Sequence, residues 1–298
     1  MDDDVQDDEM EYEGMVIRPP SEAFSILLQV TVGCSHNKCS FCGTYKEKRF
    51  RIKSEERILK DILFAAAYCR RQDRVFLMDG DALIIPQKKL VWILEKIREH
   101  LPWVKRIGLY ANAKSIKMKS DDELRQLKAL GLGIVYLGVE TGHPELLKKI
   151  CKGTSPENLV RQGQRIKEAG IKLSVTVLLG IAGKEMSLEH ARATGSLLTE
   201  MDPNFVGALT VMVLPNTDLG RDQAEGRFEL LTVEELLLEL GEMLAATRLS
   251  RGLFYSNHAS NYLPIKVRFP EGKEPALGLI AKAIKGEVGL RPEWMRAL

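Results

Sequence analysis

Apolar residues recur along this chain with two different periods, which predict strands and helices in turn. Six short apolar segments rich in β-branched residues are the predicted strands: SILLQVTV, RVFLMD, KRIGLY, GIVYLGVE, IKLSVTVLLG and NFVGALTVMVLP. Longer segments with apolar side chains at helical spacing separate them. The starts of several helices are marked by capping residues: Ser54, Ser155, and the capping boxes Ser120 with Glu123 and Thr232 with Glu235.

The predicted strands are nearly all apolar on both faces, which requires a parallel sheet covered by helices. Unusual polar or glycine-rich groups follow strand after strand: Cys34, DGD at 79–81, Asn112, ETG at 140–142, GIAG at 180–183 and LPNT at 214–217. A doubly wound sheet and an open barrel both fit the alternation, but in a barrel these strand ends converge on one mouth. We therefore expect an α/β fold, a partial (β/α)6 TIM-type barrel with a C-terminal extension.

The repeat divides the chain into three predicted regions. Residues 1–23 are an acidic tail and an extended lead-in, and the acidic residues before residue 14 are expected to be solvated. Residues 24–230 form the core partial barrel. Residues 231–298 supply a helix and a C-terminal extension that packs on the barrel, since residues 250–298 lack the repeat.

Composition narrows the class of protein. The chain has 298 residues, 45% of them hydrophobic and 28% charged, which is typical of a globular protein. The formal net charge of +2 comes from interspersed charges, so a nucleic-acid substrate is disfavoured. No apolar window is long enough to span a membrane, and the acidic N-terminus lacks a secretory pattern, which predicts a cytoplasmic protein. Five cysteines, three of them clustered, then point to a metal or to catalysis.

The clustered cysteines are Cys34, Cys39 and Cys42 in the segment CSHNKCSFC. Thiolates at this spacing suit zinc or an iron–sulfur cluster. For zinc, His36 would complete four ligands. However, His36 is only two residues from Cys34, and structural zinc sites usually draw ligands from two separate segments, which favours a hydrogen-bonding role in the loop. Three cysteines alone suit a four-iron cluster with one iron open to a cofactor or substrate.

This loop resembles that of the radical S-adenosylmethionine (radical SAM) superfamily, whose common motif is Cys-x3-Cys-x-aromatic-Cys after the first barrel strand. Phe41 stands at the aromatic position, while one extra residue separates the first two cysteines. The resemblance covers about residues 24–220. It implies two cofactors, a [4Fe-4S] cluster held by Cys34, Cys39 and Cys42, and S-adenosylmethionine (SAM).

The resemblance also implies contacts to SAM, strand by strand. MDGDAL stands where the family has a Gly-Gly-Glu type segment that meets the methionyl amino group, which implies Asp79, Gly80 and Asp81, although the double glycine has become Asp-Gly. LGVETG resembles a signature of the branch that contains oxygen-independent coproporphyrinogen oxidase, the methylthiotransferases and the Elongator catalytic subunit. The resemblance to that branch implies that Glu140 accepts hydrogen bonds from the ribose hydroxyls of SAM. It also implies that Lys152 binds the methionyl carboxylate of SAM.

The resemblance implies further contacts to SAM or to the substrate on the other strands. Thr176 and the LLGIAG turn occupy the family's remaining ribose and adenosine region, and Met212 lies where an apolar side chain packs on adenine. Tyr110 and Asn112 end the third strand and would face the methionyl group or the substrate. The implied reaction is one-electron cleavage of SAM to a 5′-deoxyadenosyl radical, which takes a hydrogen atom from a substrate at the barrel mouth.

The family resemblance assigns no role to the segment RGLFYSNHASNYLPIKVRFP. It is either a polar loop with satisfied side chains or a closure of the barrel mouth in which His258 transfers protons. Arg18 and Glu22 in the lead-in are weaker candidates for the same mouth. Cys69 is expected to be a small buried hydrophobe. Cys151 precedes Lys152, and a role beside the cofactor as hydrogen donor or auxiliary ligand is only its minor alternative.

These inferences predict a cytoplasmic radical SAM enzyme that acts on a small molecule. Its expected partners are that substrate and a one-electron donor such as flavodoxin or ferredoxin; a membrane is not expected, and nucleic acid is disfavoured. The alternative within the superfamily is a modifier of tRNA or protein. The alternative of a different class is a zinc-stabilised binding protein.

Overall fold

The computed structural model describes residues 10–297, so the acidic residues 1–9 of the predicted tail lie outside the described residues. The strands are β1 Ile26–Gln29, β2 Thr31–Val32, β3 Arg51–Ile52, β4 Arg74–Met78, β5 Arg106–Ala111, β6 Leu132–Glu140, β7 Lys172–Leu179, β8 Phe205–Thr210, β9 Gly252–Tyr255 and β10 Lys266–Phe269. The α-helices are α1 Glu55–Tyr68, α2 Gln87–His100, α3 Ala113–Lys117, α4 Asp121–Ala129, α5 Pro144–Lys149, α6 Pro156–Glu168, α7 Gly183–Met201, α8 Asp218–Ala224, α9 Val233–Ala246 and α10 Lys273–Ile284.

Eight strands form one sheet in the order β1-β4-β5-β6-β7-β8-β9-β10, and β2 pairs with β3 separately. The sheet is mostly parallel, and β10 runs antiparallel to β9. It is not closed on itself. The predicted strands appear in their predicted order, although the first is divided into β1 and β2, and the fold is confirmed as α/β of the partial TIM-barrel type.

The chain divides into two compact units. The first comprises residues 10–35, 47–135 and 169–171, and the second comprises residues 36–46, 136–168 and 172–297. The three-region division drawn from the sequence differs from this one and stays a prediction. Within the described residues, no helix combines the length and the hydropathy that crossing a membrane requires.

The first unit is built on β1, β4 and β5, whose parallel register places Ile26 beside Val75 and Val75 beside Ile107. All three side chains are buried in the apolar core. Helix α1 begins at the predicted cap, where the Ser54 hydroxyl accepts from the backbone N–H of Arg57 at 3.2 Å. The buried side chains of α1, Ile58, Ile62 and Ala65, recur at helical spacing, and this helix packs against β1.

The last part of the predicted acidic tail contacts the first unit. The Glu11 carboxylate lies 3.1 Å from the guanidinium of Arg57, and the Glu11 carbonyl accepts from Lys53 at 2.6 Å. The Tyr12 hydroxyl donates to the carbonyl of Leu27 in β1 at 2.9 Å. Both side chains stay exposed, so the solvated tail stays a prediction, while these contacts hold residues 11 and 12 against the first unit.

Glu22 also departs from its prediction. Its buried carboxylate lies 2.5 Å from the guanidinium of Arg106, the first residue of β5. The neighbouring carbonyl of Ser21 accepts from Arg74, the first residue of β4, at 3.5 Å. The lead-in thus lies at the amino ends of these strands, whereas the predicted mouth is at their carboxyl ends, so Glu22 is a structural ion-pair residue.

In the second unit β7 to β10 form a sheet with two different faces. One face is buried under helices, and it carries Val175, Val206, Phe254 and Val267. The other face carries half-buried and exposed side chains, among them Thr176, Phe205, Tyr255, Lys266 and Arg268. We call this second side the open face.

The C-terminal residues were expected to pack on the barrel as an extension. Two strands of this extension continue the sheet itself, since β9 runs parallel to β8 and β10 pairs antiparallel with β9. Helix α9 begins at the predicted capping box, where the Thr232 hydroxyl accepts from the N–H of Glu235 at 3.2 Å. Helix α10 packs against α9.

Candidate cofactor site and its supporting network

The cysteine loop follows β2. Cys34 ends the first unit together with Ser35, and Cys39 and Cys42 belong to the segment 36–46 of the second unit. None of the three forms a disulfide, and all are partly exposed. Three reduced thiols in one short loop are the soft donors that an iron–sulfur cluster requires. Within residues 10–297, no three His, Cys, Asp or Glu side chains are already arranged to hold a metal ion, so this ligand set stays a prediction.

The segment 36–46 is anchored within the second unit. The backbone N–H of Ser40 donates to the carbonyl of Ile150 at 3.0 Å, and the carbonyl of Ser40 accepts from Leu219 at 2.9 Å. Phe41, the aromatic residue of the motif, packs against the buried cluster that includes Ile150 and Val211. The aromatic position therefore serves as an apolar anchor for the loop between Cys39 and Cys42.

His36 is a hydrogen-bonding residue of this loop, as the sequence indicated. Its Nε2 lies 2.7 Å from the backbone carbonyl oxygen of Cys151. Cys151 itself is exposed and has a positive φ of 53°.

The two carboxylates of the MDGDAL segment, Asp79 and Asp81, are buried in the first unit. Asp79 Oδ2 accepts from the backbone N–H of Gly33 at 3.1 Å and from Gln29 Nε2 at 3.3 Å. Gly80, between the two acids, donates its N–H to the Gly33 carbonyl at 3.2 Å. These bonds fix the turn immediately before Cys34. A direct contact of Asp79 or Gly80 with SAM stays a prediction.

Asp81 and Asn112 hold each other at the carboxyl ends of β4 and β5. Asp81 Oδ2 accepts from Asn112 Nδ2 at 2.7 Å and from the hydroxyl of Ser35, and Asp81 Oδ1 accepts from the Asn112 N–H at 3.3 Å. Burial raises the pKa of Asp81 to about 6, although these hydrogen bonds oppose the increase. Asn112 also caps α3. Nearby on β5, the half-buried Tyr110 packs edge-on against Phe76, with 5.0 Å between ring centroids.

Glu140 and Lys152 meet at the carboxyl end of β6. Lys152 Nζ lies 2.7 Å from Glu140 Oε1, and only 12% and 10% of the two side chains are exposed. Gly138 makes room for them, because a Cβ atom there would overlap Oε1 of Glu140 and lie 2.9 Å from Nζ of Lys152. The structure thus brings together the two residues that the family signature implied.

The turn after Glu140 rests on helix α7. The Thr141 hydroxyl lies 2.7 Å from Nδ1 of His190, and the Gly142 N–H donates to Thr194 Oγ1 at 2.9 Å. His190 Nε2 lies 3.0 Å from the Leu178 carbonyl, which only accepts, so Nε2 carries the proton and Nδ1 accepts from Thr141. Burial lowers the pKa of His190 to about 4, and the ring is therefore neutral at physiological pH.

Glu239 of helix α9 supports the next turn. Its Oε1 accepts from the backbone N–H of Gly180 at 2.6 Å, and its Oε2 accepts from the hydroxyl of Ser187. Burial raises the pKa of Glu239 to about 7. His190 Nε2 is 3.7 Å from Glu239 Oε1. The pair is not a strong ion pair, because the pKa shifts favour the neutral form of both groups.

Sequence reasoning missed this buried network, defined here as Thr141, Ser187, His190, Thr194 and Glu239. A signal for it exists. His190 and Thr194 are four residues apart and so share one helix face, and Glu239 interrupts the apolar run LLLELGEML. Polar side chains on the buried face of a helix require partners, and these partners are the turns at 140–142 and 180.

The remaining predicted residues lie on the second unit. Thr176 stands on the open face in register with Gly207, and Met212 follows β8 in a half-buried position. His258 follows β9. Its Nδ1 is 2.9 Å from Ser260 Oγ, and burial, together with Arg291, lowers its pKa.

The polar segment around His258 is largely satisfied internally. Ser260 Oγ accepts from the N–H of Thr210 at 3.1 Å, and Asn261 Oδ1 accepts from the Thr210 hydroxyl at 2.8 Å. Arg291 donates to the carbonyl of His258 at 2.7 Å. Ser260 and Asn261 are therefore structural, and the role of His258 in proton transfer stays a prediction.

Comparison with curated proteins finds relatives of known activity. The chain is 28% identical over 120 residues to a tRNA uridine(34) acetyltransferase from Methanocaldococcus infernus, which covers 40% of this chain and 22% of that protein. It is 23% identical over 202 residues to the 4′-phospho-dehydrooxetanocin synthase of Priestia megaterium, with 60% of this chain and 27% of that protein covered. The chain thus matches about a quarter of the length of these relatives.

Among solved structures, coproporphyrinogen III oxidase from Escherichia coli, described as a radical SAM enzyme, has a similar fold, with a TM-score of 0.54 and 15% identity over 74% of this chain and 51% of that one. The family model of the radical SAM superfamily matches residues 28–193, which is more than half of this chain. A zinc-stabilised binding protein is therefore the wrong class. The chain belongs to the radical SAM superfamily, as an enzyme whose cofactors are a [4Fe-4S] cluster and SAM.

Proposed function

We propose that this enzyme cleaves SAM reductively and removes a hydrogen atom from a small-molecule substrate. Cys34, Cys39 and Cys42 would hold the cluster. When bound, the cluster and SAM supply one-electron cleavage that yields a 5′-deoxyadenosyl radical. A one-electron donor such as flavodoxin or ferredoxin, and a cytoplasmic location that keeps the thiols reduced, belong to the same proposal.

The buried Glu140–Lys152 pair is the observation that carries the proposal. A buried charge is costly unless it has a partner of opposite charge, and these two side chains satisfy each other at 2.7 Å. SAM brings a carboxylate for Lys152 and ribose hydroxyls for Glu140, so each side chain keeps a partner when SAM binds. The low exposure of both side chains excludes most water from them and strengthens these contacts.

The network on α7 and α9 holds the two turns that this assignment needs. Thr141 and Gly142 directly follow Glu140, and Gly180 begins the turn assigned to adenosine. Because His190, Thr194 and Glu239 bind these turns from the buried side, the turns are positioned before SAM arrives. Such preorganisation reduces the entropy that binding costs.

The open face of β7 to β10 supports binding of a substrate beside the cofactor residues. Thr176 shares this face with Phe205, Tyr255 and Lys266, and Lys266 Nζ lies 5.9 Å from the centre of the Tyr255 ring. A half-buried aromatic ring with a hydroxyl and a cation nearby is a combination that binds small polar molecules. The proposal places the substrate on this face.

Modification of tRNA is the second candidate. The relatedness to a tRNA uridine(34) acetyltransferase favours it, and Lys266 and Arg268 offer positive charge on the open face. The overall charge of +2 argues against it, because binding to a nucleic-acid backbone draws on a broad basic surface.

Anaerobic reconstitution tests the function. The chain would be loaded with iron and sulfide, reduced in the presence of SAM, and analysed for iron and 5′-deoxyadenosine. We expect about four irons per chain, as a [4Fe-4S] cluster requires, and 5′-deoxyadenosine that depends on each of the three cysteines. A colourless protein that binds one zinc would refute the assignment. Addition of a low-molecular-mass cell fraction or of tRNA then separates the candidates: stimulation of cleavage by tRNA alone would overturn the small-molecule substrate.

A further inference from the structure

His36 of the cysteine loop contacts the turn that carries Lys152. His36 Nε2 lies 2.7 Å from the carbonyl oxygen of Cys151. A carbonyl oxygen only accepts, so the ring N–H of His36 donates this hydrogen bond, and the distance is that of a well-formed one.

Gly153, the residue after Lys152, lies close to the same imidazole ring. A Cβ atom at this position would lie 2.8 Å from Cε1 of His36, closer than ordinary packing allows, and Gly153 has a positive φ of 71°. His36 therefore contacts the residue before Lys152 through a hydrogen bond and the residue after it through the ring edge.

The turn itself is held from its other side by helix α5. The Cys151 N–H donates to the Lys148 carbonyl at 2.9 Å, and the Lys152 N–H donates to the Leu147 carbonyl at 2.9 Å. The backbone of Lys152 thus lies between α5 and the cysteine loop, and its ammonium group points to Glu140.

A second hydrogen bond also joins the cysteine loop to the segment before Lys152. Ser40 donates its N–H to the carbonyl of Ile150 at 3.0 Å, directly before Cys151. His36 and Ser40 lie on either side of Cys39 in the sequence. The two hydrogen bonds therefore fix the segment around Cys39 to the two residues that precede Lys152.

We propose that His36 is a positioning residue that couples the cysteine loop to Lys152 and thereby sets the affinity for SAM. The inference rests on the proposed function, in which Lys152 binds the methionyl carboxylate. In this proposal the insertion in the loop has a function. It supplies His36 as the donor that holds the Cys151–Gly153 backbone against the loop. When the cluster binds the thiols, the loop conformation and the place of the Lys152 ammonium group are set together.

The test uses the reconstituted protein and three variants of the loop. His36→Ala removes the donor, and His36→Gln retains an N–H group that can reach the carbonyl. Lys38→Ala is the matched control, because Lys38 is exposed in the same loop. Iron content, circular dichroism and the SAM dissociation constant by calorimetry with the cluster oxidised would be measured for each.

We expect His36→Ala to retain its iron and its fold and to bind SAM about five- to tenfold more weakly, the loss typical of one hydrogen bond. His36→Gln should recover part of the affinity, and Lys38→Ala should match the parent. In a Lys152→Ala background the His36→Ala change should weaken SAM less than twofold, since coupled residues are not additive.

Several results would overturn the inference. One is an unchanged SAM affinity in His36→Ala. Another is a full additional loss in the Lys152→Ala background, which would show that His36 acts elsewhere. Loss of iron in His36→Ala would indicate a role in metal binding instead. A parent protein that binds neither cluster nor SAM, or a Lys152→Ala protein with parental affinity, would contradict the proposed function itself and remove the basis of the coupling.

Discussion

At the scale of single residues, Gly138 shows how the absence of a side chain shapes the candidate site. Both members of the Glu140–Lys152 pair occupy the space that a Cβ atom at position 138 would need. A methyl group there must displace one of the two charged side chains. The glycine is thus required by the pair and not by its own backbone conformation.

We therefore expect Gly138→Ala to weaken SAM binding by tenfold or more, on the order of 1.4 kcal/mol or above, while the protein still folds. Gly278→Ala is the matched control, because this glycine lies in α10, outside the candidate site, with no atom within 4 Å of an added Cβ. Calorimetric titration with SAM checks both variants. Equal affinities for the two would show that the pair does not bind SAM.

His190 and Glu239 have opposite effects on how stability depends on pH. The raised pKa of Glu239, about 7, makes the native state bind more protons than the unfolded state, so stability falls as the pH rises from 4.5 to 7. The lowered pKa of His190, about 4, has the reverse effect, and stability rises with pH from 4 to 6.5. In the parent protein the two slopes largely cancel between pH 4.5 and 6.5.

Glu239→Gln should expose the contribution of His190, with an unfolding free energy that rises by about 3 kcal/mol between pH 4 and 6.5. His190→Gln should expose the contribution of Glu239, with stability that falls toward pH 7. Urea titrations at a series of pH values would measure both slopes. Slopes of the same sign in the two variants would contradict these protonation states.

At the scale of elements, the approach of the turn at 140–142 to helix α7 depends on Gly142. A Cβ atom at this position would overlap the carbonyl oxygen of Ala193 in α7. Backbone atoms of a helix cannot move aside as the end of a flexible side chain can. The turn after β6 and the helix after β7 are therefore in backbone contact.

Gly142→Ala should lower the unfolding free energy by about 1–3 kcal/mol, the cost typical of overpacking. Gly278→Ala is the matched control, since this glycine lies inside α10 with no atom within 4 Å of an added Cβ. There the alanine should raise stability by up to about 1 kcal/mol through helix propensity. The midpoint of thermal unfolding measures both, and a shift in the same direction for both would contradict the close contact.

The helices and strands that the sequence predicted are those with a long periodic pattern or a strong cap. The capping boxes at Ser120 and Thr232 mark the starts of α4 and α9. The strands β9 and β10 were missed because each is a short segment without a long apolar run, and β9 joins the sheet by pairing with β8, about 50 residues earlier in the chain. The short helices α3 and α5 likewise offer too few residues for a period.

At the scale of the whole molecule, the sheet order explains why strand ends were a sound guide to chemistry. In parallel strands that follow one another in the sheet, all carboxyl ends lie at the same edge. Asp81 with Asn112 and Glu140 with Lys152 meet at such ends, within the first and the second unit respectively. Their spacing along the sequence alone does not indicate these pairs.

The sequence by itself determined the superfamily, the three cysteines as candidate ligands, the alternation of six strands with helices, and Glu140 and Lys152 as candidate residues. These features are encoded locally, in a motif, a period or a cap. Only the tertiary structure decided that Glu22 is a structural ion-pair residue, that His190 and Glu239 support the turns, and that His36 binds the turn of Lys152. Each of these depends on which distant segments share a buried space, and that is set by packing of the whole chain and not by any local pattern.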